Sequence, residues 1–141
     1  MLGHPLRVLI FVSVLWVTSI VAADPTSHAL ALFREYESRA ARFDPSLADL
    51  YSDDALIWTK RIGAGGGARE LSFKGDKWKT MIRLGMPLAK IRGDTNRFDD
   101  LMARKVGDDV VISAYRSPFT LVVRKSADAW RIVEERSETW P

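Results

Sequence analysis

Four runs rich in β-forming residues close the chain, at 98–105, 110–116, 119–125 and 129–137, separated by Gly107-Asp108-Asp109, Ser117-Pro118 and Ser126-Ala127-Asp128. Glycine, proline, serine and aspartate in such clusters mark reversals of the chain. Segments this closely spaced predict an antiparallel meander, so the C-terminal part of the molecule is expected to be a sheet.

Upstream the period changes. Pro25, Thr26 and Ser27 give a helix start, after which Leu30, Phe33, Ala40 and Phe43 recur at helical spacing with Tyr36 close to the same stripe. Asp44 then caps a short second helix, with Pro45 at its first position and Leu47, Leu50 and Tyr51 on one face. Residues 55–62 and 69–73 read as two strands with Gly63-Ala64-Gly65-Gly66-Gly67 at the hairpin tip. Those glycines match no phosphate loop, because Ala68-Arg69-Glu70 leads into more strand rather than into a helix. Asp76 can cap a third helix whose Trp78, Met81, Ile82 and Gly85 share a face, with Gly85 and Pro87 expected to end it. Helices followed by a run of strands make an α+β order.

Residues 1–23 differ from the rest. Arg7 precedes an almost wholly apolar run at 8–23 that ends in Val21-Ala22-Ala23, the pattern of a cleaved signal peptide. The run is shorter than the ~20 apolar residues that span a bilayer and is interrupted by Ser13, Thr18 and Ser19. The expected mature chain is one domain, 24–141, with no membrane attachment after cleavage. It loses Arg7, so the net charge of +3 becomes +2, too near neutral to demand a polyanionic partner. No cysteine occurs anywhere, which excludes disulfides, thiolate nucleophiles and sulfur-rich metal sites. An exported domain of this kind relies on its own core, and its expected address is periplasmic or secreted.

Three stretches in order, Asp44-Pro45 with Leu50-Tyr51-Ser52-Asp53-Asp54-Ala55, then Val106-Gly107-Asp108-Asp109-Val110, then Ala129-Trp130-Arg131-Ile132-Val133, resemble signatures of the nuclear transport factor 2-like superfamily. This cystatin-like, cone-shaped fold is shared with ketosteroid isomerases and polyketide cyclases. The resemblance covers residues 26–138. It implies a strongly curved, antiparallel-rich sheet wrapped around the long first helix, with two further helices and a conical, mostly apolar pocket. It also implies that Asp53 and Asp54 close the turn into the first strand rather than act chemically, as aspartates do by accepting backbone N–H bonds.

The same resemblance bears on chemistry. Aligned with the isomerases, residues 51–55 place the catalytic base on Thr59, which cannot take a proton at neutral pH, while the first-helix tyrosine falls on Tyr36. On the last strand, period two sets Trp130, Ile132, Glu134 and Arg136 on one face and Arg131, Val133, Glu135 and Ser137 on the other, so a carboxylate at 134 or 135 points inward. Desolvation would raise its pKa unless Arg116, Arg131 or Arg136 pairs with it. The candidate catalytic groups are Tyr36, Asp99 and Glu134, and the candidate pocket lining is Tyr36, Trp58, Trp78 and Tyr115. His28 is the one histidine of the mature chain, so neither a metal site nor a cofactor is expected.

Lys74, Lys77, Lys79, Arg83, Lys90 and Arg92 read as the solvated face of the third helix, opposite Trp78, Met81 and Ile82; nucleic acid would call for exposed aromatics among them and a much more positive total charge. The leading expectation is thus an exported single-domain protein that binds a small, mostly apolar molecule in its cone. The alternatives are a cofactor-independent lyase, isomerase or hydrolase of the same fold, and a dimeric interaction module pairing through the sheet face.

Overall fold

The computed structural model describes residues 24–114, 118–127 and 129–139; the expected signal peptide at 1–23 and Tyr115 lie outside the described residues. The chain runs α1 (Pro25–Ala41), a 3₁₀ helix (Pro45–Leu50), β1 (Tyr51–Ile62), β2 (Ala68–Lys74), α2 (Gly75–Arg92), β3 (Met102–Val106), β4 (Asp109–Ala114), β5 (Phe119–Ser126) and β6 (Ala129–Thr139). One six-stranded curved sheet results, in the order β2-β1-β6-β5-β4-β3. β3 to β6 form the expected meander, β1 and β2 the expected hairpin, and the parallel pairing of β1 with β6 joins the two. The α+β cone expected from the sequence is the fold observed.

α1 lies against the concave face. It buries Ala29, Leu32, Phe33 and Tyr36, and Phe43 falls beyond its end, at a left-handed φ of 54°. Phe33 is fully buried and meets Phe98, Phe119 and Tyr36, while Phe98 and Phe119 stand 4.6 Å apart. Val110, Ile112, Leu121, Val123 and Ile132 continue this core along the sheet. Asp44 caps the 3₁₀ helix as expected, its Oδ1 accepting a bond from the Ser46 N–H at 2.9 Å.

The third helix departs from the sequence expectation. α2 continues through Gly85 and Pro87 and ends at Gly93, whose φ of 69° suits a glycine cap. Pro87 is exposed, and Trp78, Ile82 and Met86 line the concave side, so packing carries the helix past two weak formers. Its solvent face is not purely basic: Leu84 is 77% and Ile91 82% exposed.

Two irregularities shape the cone's floor. In β6, Ile132 pairs with Val123 but Glu134 pairs with Val122, leaving Val133 as an extra, bulged residue. On the other side, Tyr51 faces Ile132 and Leu56 faces Glu134, so residues 52–55 loop out of β1. Gly75, at the start of α2, packs into that loop. A Cβ there would overlap the Ser52 carbonyl oxygen and stand 2.9 Å from the Ala55 nitrogen and the Asp53 oxygen, so no larger residue fits.

Candidate functional site

The concave face encloses a cavity of about 850 Å³ between the sheet, α1 and α2. Its inner wall is apolar and aromatic, with Leu47, Phe73, Trp78, Ile82, Met86, Phe98 and Phe119. Its open end carries Arg61, Arg69, Thr95, Asn96, Arg97 and Glu138.

Glu135 sits at the closed end. The Val133 bulge shifts the phase of β6 so that Ile132 and Glu135, three residues apart, both face inward, where unbroken alternation would have pointed Ile132 and Glu134 the same way. Glu135 is only 4% exposed, and its Oε2 accepts a hydrogen bond from the Tyr51 hydroxyl. Tyr51 is 2% exposed and immediately precedes the β1 bulge. The Tyr36 hydroxyl, on the inward face of α1, lies beside that of Tyr51. Three buried polar groups from three separate elements thus meet in an apolar setting.

Burial sets their electrostatics. It pushes the Glu135 carboxyl up to about 7, and the Tyr51 bond only partly offsets it. Both phenols are held well above their ordinary range, by burial first and then by the Glu135 charge. They therefore stay protonated donors. Among the described residues no lysine or arginine pairs with Glu135. The indole N–H of Trp78 lies close enough to the Tyr51 hydroxyl to favour its anion slightly, yet its buried Nε1 has no partner at hydrogen-bond geometry.

The sequence candidates distribute unevenly. Tyr36 and Trp78 line the cavity. Thr59 lines it too, opposite Ser137 and well clear of acid–base duty. Glu134 does not: the bulge turns it to the convex face, where it binds Arg136 at 2.7 Å. Trp58 is likewise convex, because Ile57 takes the inward phase of β1; with Leu56 and Glu134 it borders a separate hollow of about 310 Å³. Asp99 stands at the start of β3's approach, bonded to Arg97, outside the cavity lining. Tyr115 lies outside the described residues. Asp53 and Asp54 are both exposed in the β1 bulge, but the expected aspartate turn is not what holds it. Asp53 pairs with Lys79 at 2.8 Å, and Ser52 Oγ accepts the Asp54 N–H.

Sequence reading missed Tyr51, Arg61, Arg69, Phe73 and Phe119 as cavity residues and left Glu135 undivided from its neighbour. The adjacent pair Glu134-Glu135 was the available signal, since whichever phase the strand takes, one of the two must face in.

No family model matches the chain, and no curated relative does. Solved structures do. A nuclear transport factor 2-like protein of unknown function from Pseudomonas putida KT2440 superposes with a TM-score of 0.61 at 15% identity, covering 80% of this chain and 84% of that one. An uncharacterised protein with a cystatin-like fold from Caulobacter vibrioides gives 0.60 at 14%, covering 81% and 88%. A protein from Streptomyces avermitilis, provisionally named a dehydratase of the nuclear transport factor 2-like family, gives 0.52 at 12%, covering 80% and 94%. At such identities the likeness establishes the fold alone, and that fold is the nuclear transport factor 2-like, cystatin-like cone.

Proposed function

We propose that this is an exported, single-domain cone protein that takes up a small, mostly apolar molecule and acts on it as an isomerase or lyase through its own side chains. The observation that carries the reading is the buried Glu135 carboxyl held by Tyr51 at the closed end of an apolar cavity. A carboxyl titrating near 7 is present in both forms at neutral pH, so one residue can accept a proton from carbon and return it, or protonate a leaving hydroxyl. Tyr36 and Tyr51, locked as phenols, can donate to a carbonyl or hydroxyl oxygen of the bound molecule. The isomerase-like reading was disfavoured by Thr59; Glu135, reaching the same hollow from the last strand, supplies the missing proton acceptor.

An uncompensated buried acid also argues for function over structure. It opposes folding wherever it ionises, and such groups concentrate at sites of chemistry. The name of the Streptomyces avermitilis neighbour is compatible with this reading.

Native mass spectrometry of protein purified from its own host tests it. The expected result is a retained small molecule that native protein converts and the Glu135→Gln variant does not. Bare protein together with no Glu135-dependent conversion of any candidate carbonyl compound rejects the proposal.

A second reading is favoured by the convex face, where Leu56 is 54% exposed beside Trp58 and the smaller hollow. Two copies of the chain would pair through that face, burying both side chains.

A further inference from the structure

Two arginines face each other at the cavity's mouth. Arg61 of β1 and Arg69 of β2 are direct cross-strand partners, and both line the opening. Side chains in that relation have Cβ atoms about 5 Å apart, and like charges placed so destabilise the pair. Neither makes an ion pair among the described residues. Glu138, the acid that lines the same end of the cavity, is engaged with Lys60 at 3.9 Å.

Deeper along the same two strands the wall changes character. Thr59 faces Leu71, and then Ile57 faces Phe73, with Glu135 beside Ile57 on the next strand. From Arg61 to Ile57 is four residues along β1, about 13 Å at the strand's rise. The cavity is therefore graded, from two unneutralised positive charges at the rim, through an apolar barrel, to an acid at the base.

We infer that the molecule taken up is an amphipathic anion, its carboxylate, sulfate or phosphate head held between Arg61 and Arg69 and its apolar body reaching inward to Glu135. This rests on the proposed cone-binding function and names its ligand class. Paired guanidinium forks suit an anionic oxygen group, which would neutralise the two like charges that the strand register forces together. The acid at the base fixes polarity, because an anionic head pushed to that end would meet a carboxylate in a desolvated site. Only the head-outward orientation satisfies both ends.

Decanoate and decan-1-ol, a charged and a neutral probe with the same chain, separate the possibilities by isothermal titration calorimetry on native protein. Decanoate is expected to bind about tenfold tighter or better, with a preference that weakens in high salt. In the Arg61→Gln/Arg69→Gln variant the two probes should bind alike, with the alcohol's affinity unchanged. Both arginine side chains are exposed, and circular dichroism checks that the variant is folded. Equal binding of both probes to native protein, or a preference surviving in the variant, overturns the anion inference while leaving the cone as a binding site. Binding of neither probe overturns the inference and the reading beneath it together.

Discussion

Replacing Glu135 with glutamine removes one titration while preserving shape and an oxygen that accepts the Tyr51 hydroxyl bond. The carboxyl's pKa is about 7 in the folded protein against an ordinary 4.5. Between those values the folded chain holds a proton that the unfolded chain has released. Native stability must therefore fall as pH rises through this window, by about 1.4 kcal/mol per unit. Over a displacement of about 2.5 units the loss comes to about 3 kcal/mol, complete above neutral pH. Glu135 is nearly inaccessible to water, so screening does not erode that figure greatly. The variant lacks this slope. Urea unfolding of both proteins, followed by tryptophan fluorescence from about pH 4 to about pH 8.5, should show the variant gaining on the native protein by about 3 kcal/mol across the range. A stability difference constant to within about 1 kcal/mol over that range would refute the reasoning, because it would mean that burial does not hold the proton on Glu135.

Tyr51→Phe deletes the one bond that favours the Glu135 anion, so the carboxyl should titrate still higher, read from its side-chain carbon by NMR, at a stability loss of about 1–3 kcal/mol. An unchanged titration would mean that the Tyr51 bond does not tune the acid. Gly75→Ala drives a methyl into the β1 bulge and should destabilise by about 3 kcal/mol in urea unfolding, whereas the same change at Gly65, which meets nothing, should leave stability within about 1 kcal/mol. Equal effects at the two sites would deny that the bulge is packed. For pairing through the convex face, Leu56→Glu should turn a dimer into a monomer in sedimentation velocity; native protein that sediments as a monomer at high concentration ends that reading.

Much of the fold was legible because it rests on periodicity and punctuation. The meander follows from turn clusters between β-rich runs, the hairpin from its glycine tip, and the first helix from its apolar stripe. The length of α2 was not legible, since Gly85 and Pro87 are stop signals that only tertiary packing overrides. The site was partly legible. Tyr36 and Trp78 line the cavity, while Trp58 and Glu134 do not. All four lie on elements whose existence was anticipated, so the error concerns phase rather than secondary structure.

Phase was hidden for a physical reason. In a strand of period two, one added residue reverses every side chain beyond it, and a bulge leaves no residue type that announces it. Val133 is an ordinary β-former, and the residue packed into the separate β1 bulge, Gly75, lies on another element. Without the β6 bulge, Glu134 would enter the cone and Glu135 would face solvent. In β1, Tyr51 and Ile57 lie six residues apart and keep one phase, both pointing inward across the bulge. The two irregularities occur at the same level of the sheet, next to Ile132, and the one in β6 turns the Glu135 carboxyl inward, where it meets the Tyr51 phenol in one buried contact. A departure from ideal pairing at the point where an acid is buried without a cationic partner among the described residues is a local sacrifice of stability, of the kind expected at the proposed site. The pH dependence of unfolding and the chemistry of the cone should accordingly trace to the same residue.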